Sequence, residues 1–61
     1  MESKILLTVG EAAERLGIGR SHAYVLVMRG ELESIKIGRS RRVPIEALDE
    51  FIARLRSEAE L

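Results

Sequence analysis

The stretch TVGEAAERLGIGRSHAYVLVMRG, residues 8–30, contains two short helical patterns joined by a glycine-bounded turn. Thr8, followed three residues later by Glu11, predicts a capping box, in which the hydroxyl and the carboxylate each satisfy a backbone amide at a helix start. Apolar residues then recur with helical spacing, which predicts one buried stripe on the first helix. The stripe consists of Val9, Ala12, Ala13 and Leu16. Its two alanines would let a second helix approach closely.

Gly17-Ile18-Gly19 predicts the connection between the two helices, with a left-handed glycine ending the first. The second helix is predicted to run from about residue 20 to residue 28, with Gly19 or Ser21 at its N-terminus and Gly30 ending it. A three-residue connection between short helices is typical of a helix-turn-helix. The side chains expected on the core side of the second helix are Ala23, Tyr24, Leu26 and Val27.

Residues 34–43 predict a β-hairpin. The alternation in Ser34-Ile35-Lys36-Ile37 places Ile35 and Ile37 inward and Lys36 outward. Gly38-Arg39-Ser40 is predicted as the turn and Arg41-Arg42-Val43 as the returning strand, with Val43 inward. Pro44 lacks an N–H donor and is expected to end the pairing. Three arginines at a hairpin tip suit phosphate contact and insertion into a DNA minor groove.

A third helix is predicted after Pro44, which is well suited to a helix start. Its apolar face is expected to close the core and consists of Ile45, Leu48, Phe51, Ile52 and Leu55. Glu46, Asp49 and Glu50 occupy its first turns, where negative charges interact favourably with the helix dipole. We interpret them as a solvated acidic face rather than as paired catalytic carboxylates, because the sequence offers no catalytic partners.

Charge is segregated along a chain whose formal net charge is zero. Residues 20–42 contain six cationic and two anionic residues, a net charge of +4, and the remainder contains four and eight, a net charge of −4. One part of the molecule can therefore face phosphates while the rest avoids them. The cations of this segment are Arg20, Arg29, Lys36, Arg39, Arg41 and Arg42.

With 61 residues the chain is expected to form one domain, residues 1–61, with an ordered core over about 6–56 and fraying ends at 1–5 and about 57–61. It has no cysteine and a single histidine, so neither disulfides nor a thiolate metal site is expected. No apolar run approaches a membrane span, and no secretion signal is recognised. We predict no cofactor, metal or catalytic residue, and a protein of the cytoplasm.

The combined residues resemble the excisionase-type helix-turn-helix family, which is related to the mercury-resistance-regulator (MerR) winged-helix superfamily. The resemblance covers about 45 residues and lies in Leu7-Thr8-Val9, Glu11-Ala12-Ala13, Leu16-Gly17-Ile18, Tyr24, Arg29-Gly30-Glu31-Leu32, Ile35-Lys36-Ile37-Gly38-Arg39, Arg42-Val43-Pro44 and Leu48. It implies a mainly α fold with a small two-stranded β-hairpin: a winged helix-turn-helix of three helices plus a wing. It also implies phage or mobile-element proteins that bind repeated DNA sites beside an attachment site and steer an integrase towards excision, working at the nucleoid of a bacterial cell or phage host. Related members regulate transcription.

By the same resemblance, the expected DNA contacts fall in two groups. The second helix would contribute Arg20, Ser21, His22 and Arg29, and the wing would contribute Gly38, Arg39, Ser40, Arg41 and Arg42. The residue pattern adds Val25 on the second helix and the outward-facing Lys36 of the hairpin. Arg20 and His22 lie in the first exposed turn of the second helix, where we expect them to contact bases. Val25 and Met28 stand where relatives commonly have polar or basic residues. Val25 would contact a thymine methyl group, or Val25 and Met28 would form a surface for a neighbouring copy, which we favour slightly.

Three functions remain open from the sequence. The first is an excisionase that binds double-stranded DNA, and the second is a small MerR-like transcriptional regulator. The third is a protein-interaction domain that docks on an integrase or a terminase. None of the three is an enzyme.

Overall fold

The computed structural model describes residues 5–59, which fold as three helices and three short strands. Helices α1 and α2 form the helix-turn-helix, and strands β2 and β3 with their turn form the wing, residues 35–44. This architecture confirms the predicted winged helix-turn-helix. In chain order the elements are β1 (Leu6–Thr8), α1 (Val9–Leu16), α2 (Arg20–Met28), β2 (Ile35–Ile37), β3 (Ser40–Pro44) and α3 (Ile45–Ala59).

The start and the end of α1 are as the sequence predicts. The Thr8 hydroxyl oxygen accepts a hydrogen bond from the Glu11 amide at 3.0 Å, and the Glu11 carboxylate accepts one from the Thr8 amide at 2.9 Å. Gly17 ends the helix with a φ of 73°, a left-handed conformation that is unfavourable for residues with a side chain. The Ile18 amide then donates to the Ala13 carbonyl at 3.0 Å, which closes the turn.

The segment after α2 turns sharply back under the helix. Gly30 has a φ of 78°, as predicted for the end of this helix. The amides of Glu31 and Leu32 both donate to the Leu26 carbonyl, at 2.9 and 3.2 Å. This bend brings Leu32 into the core, where its side chain is 1% exposed. Sequence periodicity does not identify Leu32, because it lies in a loop between two elements.

The sheet has a third strand that the sequence does not predict. The strand order is β1-β3-β2, and both pairs are antiparallel. Leu7 pairs with Val43, and these two side chains are almost fully buried. Pro44 does not end the pairing, because it lies opposite Leu6, and the Ile45 amide donates to the Ile5 carbonyl at 3.0 Å. The sheet therefore ties the wing to the start of the helix-turn-helix.

The hairpin turn is one residue shorter than predicted, and this changes which side chains face the core. Ile37 pairs with Ser40, so the turn consists of Gly38 and Arg39 alone. Shifting a register by one residue moves every side chain of a strand to the opposite face. The predicted inward positions of Ile35 and Ile37 are therefore wrong, and their side chains are 43% and 53% exposed. Val43 is buried as predicted.

The core lies where α1, α2, the first half of α3 and the sheet meet. Tyr24, predicted inward, is exposed because it lies about 100° around the helix from the buried Ala23. Ile52 and Leu55 are also exposed, contrary to the prediction, because α3 buries side chains only between residues 47 and 51. The core residues are Leu7, Val9, Ala12, Ala13, Ala23, Leu26, Val27, Leu32, Val43, Ala47, Leu48 and Phe51, with Leu16, Ile18 and Ile45 partly buried against them.

The predicted fraying at the chain ends is only partly open to comparison. The Ile5 carbonyl accepts the hydrogen bond from the Ile45 amide, and residues 57–59 continue α3, while fraying at the two ends stays a prediction. Residues 1–4 and 60–61 lie outside the described residues.

Candidate nucleic-acid interface

A groove of about 420 Å³ separates α2 from the wing, and we call it the wing groove. One wall contains Arg20 and Tyr24 from α2, and the other contains the wing arginines. The start of α1 forms the floor because β1 pairs with β3 and holds that end of the helix beside the wing. The residues that line the groove are Thr8, Val9, Gly10, Arg20, Tyr24, Arg39, Ser40, Arg41 and Arg42.

Helix α2 is exposed on three of its four sides. Ala23, Leu26 and Val27 are buried and define the core side. At 100° per residue, Ser21, Val25 and Met28 form the stripe that points away from the core. Arg20 and Tyr24 lie on the flank facing the wing groove, and His22 and Arg29 lie on the opposite flank. The predicted contact residues of this helix therefore divide into one outward stripe and two flanks.

Lys36, Arg39 and Arg41 of the wing are exposed and Arg42 is partly buried, and none of the four has a carboxylate partner among residues 5–59. Lys36 and Arg41 are opposite each other across the hairpin, on the same face of the sheet. An Arg41 guanidinium nitrogen donates to the Ser34 hydroxyl at 3.0 Å, and an Arg42 nitrogen donates to the Arg41 carbonyl at 3.3 Å. Arg39 lies in the turn itself. Arg41 and Arg42 thus bond to neutral groups, and the charges of the wing remain available to an anion.

Arg29 differs from the wing cations because it has an acidic neighbour. Its Nε atom lies 3.5 Å from a carboxylate oxygen of Glu31, and both side chains are well exposed. Exposed pairs of this kind contribute little to stability, since water screens them. A phosphate that approached Arg29 would meet this carboxylate, which makes Arg29 a weaker candidate contact than Arg20.

A second concave surface lies between α3 and the segment after α2, and it has the opposite character. Its volume is about 490 Å³, and its rim includes Glu31, Glu33 and Glu50. Arg54 crosses it, donating a hydrogen bond to the Glu31 carbonyl and lying 5.7 Å from the centre of the Phe51 ring. Carboxylates on this rim would repel a polyanion. Charge therefore favours the wing groove over this cleft as the candidate nucleic-acid interface.

Tyr24 and residues 8–10 line the wing groove but are not among the predicted contacts. Tyr24 follows Arg20 by four residues, a spacing that places two side chains on one helix face and could have identified it. Residues 8–10 give no such signal, because only the pairing of β1 with β3 brings them to the groove.

Two other site types find no support in the described structure. Across residues 5–59, no group of three or more His, Cys, Asp or Glu side chains is arranged to hold a metal ion. Over the same residues, every helix is too short or too polar to cross a bilayer.

Comparison with known proteins places the chain in a family. Residues 6–56 match the family described as "Helix-turn-helix domain". A protein of Saccharopolyspora erythraea named "Probable excisionase" is 53% identical over 55 residues, which cover 90% of this chain and 56% of that protein. A Streptomyces ambofaciens protein named "Excisionase" is 51% identical over 47 residues, or 77% of this chain and 76% of that protein.

The chain thus spans about half the length of the first relative and three quarters of the second. No solved structure matches it. The family match and the names of these relatives confirm the resemblance found in the sequence. This chain belongs to the helix-turn-helix domain family.

Proposed function

We propose that this protein binds double-stranded DNA through α2 and the wing. The observation that carries the proposal is the wing groove, in which Arg20 and Tyr24 of α2 face Arg39, Arg41 and Arg42 of the wing. One DNA duplex can meet both elements only if their cations share a surface. The lining residues of this groove include four arginines and no Asp or Glu, a composition that suits a phosphate backbone.

In the proposed complex, α2 enters the major groove with its outward stripe against the bases. Ser21 can hydrogen-bond to a base edge, and Val25 can contact a thymine methyl group. Arg20 on one flank and His22 on the other then face the two phosphate walls of the groove. The wing lies over the adjoining backbone, where Lys36, Arg39, Arg41 and Arg42 neutralise phosphates. Arg39, at the turn, is the residue best placed to reach the minor groove.

The biological role that we propose is that of an excisionase. Two relatives more than 50% identical to this chain carry that name. In this role a single domain binds repeated sites beside an attachment site in the bacterial cytoplasm, on the nucleoid, and directs an integrase towards excision. The protein supplies no cleavage chemistry of its own, so strand exchange would belong to the integrase.

The excisionase proposal is tested on DNA from the attachment site of the genetic element that encodes the protein. We expect footprinting to find protected repeats beside the site, and integrase-dependent excision of a reporter to rise when the protein is added. A control fragment of equal length without the repeats should give no footprint. A footprint confined to a promoter, with no change in excision, would instead favour a transcriptional regulator. Binding to integrase without binding to DNA would favour the interaction domain.

Val25→Ser separates base contact from contact between copies of the protein. If Val25 contacts a thymine methyl group, the change should weaken binding to a duplex carrying one site by roughly 1 kcal/mol and alter the preference at one base-pair position. If Val25 and Met28 instead contact a neighbouring copy, binding to one site should be unchanged, and the loss should appear only on tandem sites. Band-shift titrations on both duplexes measure this, with Met28→Ser as the comparison. Equal loss on every sequence would reject base contact.

A further inference from the structure

Gly10 lies on the floor of the wing groove, in the first turn of α1. A Cβ atom built on Gly10 would lie 3.3 Å from both Nε and Nη2 of Arg20, and 3.6 Å from its Cζ atom. Nearly all Cβ atoms keep a greater distance from their neighbours, so the guanidinium, the end of a flexible side chain, would have to move by a few tenths of an ångström for a Cβ atom and farther for a larger side chain. The guanidinium thus occupies space that exists because residue 10 has no side chain.

The backbone gives no reason for a glycine at this position. Positive φ values occur among the described glycines at Gly17, Gly30 and Gly38, but not at Gly10. Glycine inside a helix is unfavourable relative to alanine, because it loses more conformational freedom on folding. The sequence therefore has a helix-weakening residue where the structure requires no special backbone conformation. The absence of a side chain at residue 10 leaves room for the Arg20 guanidinium.

Arg20 belongs to the α2 wall of the wing groove, and its guanidinium lies over Gly10. It reaches from the start of α2 across the floor at Gly10, and the opposite wall contains Arg39, Arg41 and Arg42. No described carboxylate pairs with Arg20, so its charge is free to meet an anion held between the two walls. Displacing the guanidinium from the floor would remove the charge that α2 contributes to this space.

We propose that Gly10 is a positioning residue that holds the Arg20 guanidinium on the groove floor, so that Arg20 binds one phosphate of the DNA backbone next to the phosphates that the wing arginines bind. This inference rests on the proposed function, since the phosphate is part of the bound duplex. Arg20 would then contact the DNA backbone, and losing this contact should weaken binding to every DNA sequence by the same factor.

The experiment enlarges residue 10 in steps, with Gly10→Ala and Gly10→Leu, each in the native and in the Arg20→Ala background. Fluorescence anisotropy with a labelled duplex gives the affinity over a range of salt concentrations. Loss of one phosphate contact lowers the slope of log affinity against log salt by about 0.9, which is about eight-fold in affinity at 0.1 M salt. We expect this loss for Gly10→Leu, a smaller loss for Gly10→Ala, and no loss from either in the Arg20→Ala background.

A matched control tests whether replacing any glycine would lower DNA affinity. Gly19 also has an ordinary φ, of −72°, and a Cβ atom there would meet nothing within 4 Å. Gly19→Ala should leave the affinity and the salt slope unchanged. The melting temperature of Gly10→Ala should equal or exceed that of the native protein, since alanine favours a helix. Weaker binding together with an unreduced melting temperature is an outcome that a purely structural role for Gly10 does not produce.

Three results would overturn the inference, and one of them also overturns the proposed function. If Gly10→Leu kept the native affinity and the native salt slope, Arg20 would need no space at residue 10. An equal loss in the Arg20→Ala background would show that Gly10 acts through another group. In both cases DNA binding by the native protein stands. A native protein that binds no duplex at any salt concentration overturns DNA binding and the role of Gly10 together.

Discussion

Replacing Leu32 by alanine should lower the free energy of unfolding by about 2–5 kcal/mol. Leu32 is 1% exposed and lies beside Val27, Ala47 and Phe51, so the shortened side chain would leave a cavity between α2 and α3. A domain of 61 residues has a total stability of roughly 3–9 kcal/mol, so this single change approaches the whole of it. Circular dichroism melting should show a drop of at least about 8 °C, or no folded state at all.

Leu55→Ala is the matched control, because it removes the same atoms from a side chain that is 47% exposed. We expect it to cost less than about 1 kcal/mol, as surface substitutions usually do. Similar melting temperatures for the two variants would mean that Leu32 is not a core residue. The bend formed by the amides of Glu31 and Leu32 on the Leu26 carbonyl would then be misplaced as well.

Local sequence signals predict the helix-turn-helix accurately. The capping box of Thr8 and Glu11 depends on residues three positions apart, and the left-handed Gly17 and Gly30 mark helix ends without reference to the rest of the fold. Such features are set by short-range chemistry, so a single sequence contains them. The arginines of residues 39–42 likewise mark the wing, because they lie close together along the chain.

The errors concern contacts between distant residues. Strand β1 has only three residues, and its partner β3 lies more than 30 residues later, so no periodicity reveals it. A turn of two residues instead of three moves Ile35 and Ile37 from the core to the surface. Both errors affect the candidate site, because the wing groove depends on the pairing that brings Gly10 and Arg42 together. Residue composition can indicate a DNA-binding surface, but strand pairing determines its shape.

Replacing both Arg39 and Arg41 by alanine should cause the largest loss of DNA affinity among the surface changes considered. Both side chains are exposed, and neither pairs with a carboxylate among residues 5–59, so their removal should leave the fold intact. Arg42 is kept because it is partly buried in the central strand of the sheet. If each arginine neutralises one phosphate, the slope of log affinity against log salt should fall by about 1.8. At 0.1 M salt this is a loss of about 60-fold.

The control variant also loses two arginine charges, but outside the wing groove, by combining Arg15→Ala with Arg56→Ala. These exposed arginines lie in α1 and α3 and do not line the wing groove. If overall charge alone governed binding, both double variants would lose affinity equally, because each has the same formal net charge. If the wing contacts the backbone, the control should keep most of its affinity and nearly the native salt slope. Equal losses in the two variants would remove the wing from the interface and leave only long-range attraction between the protein and DNA.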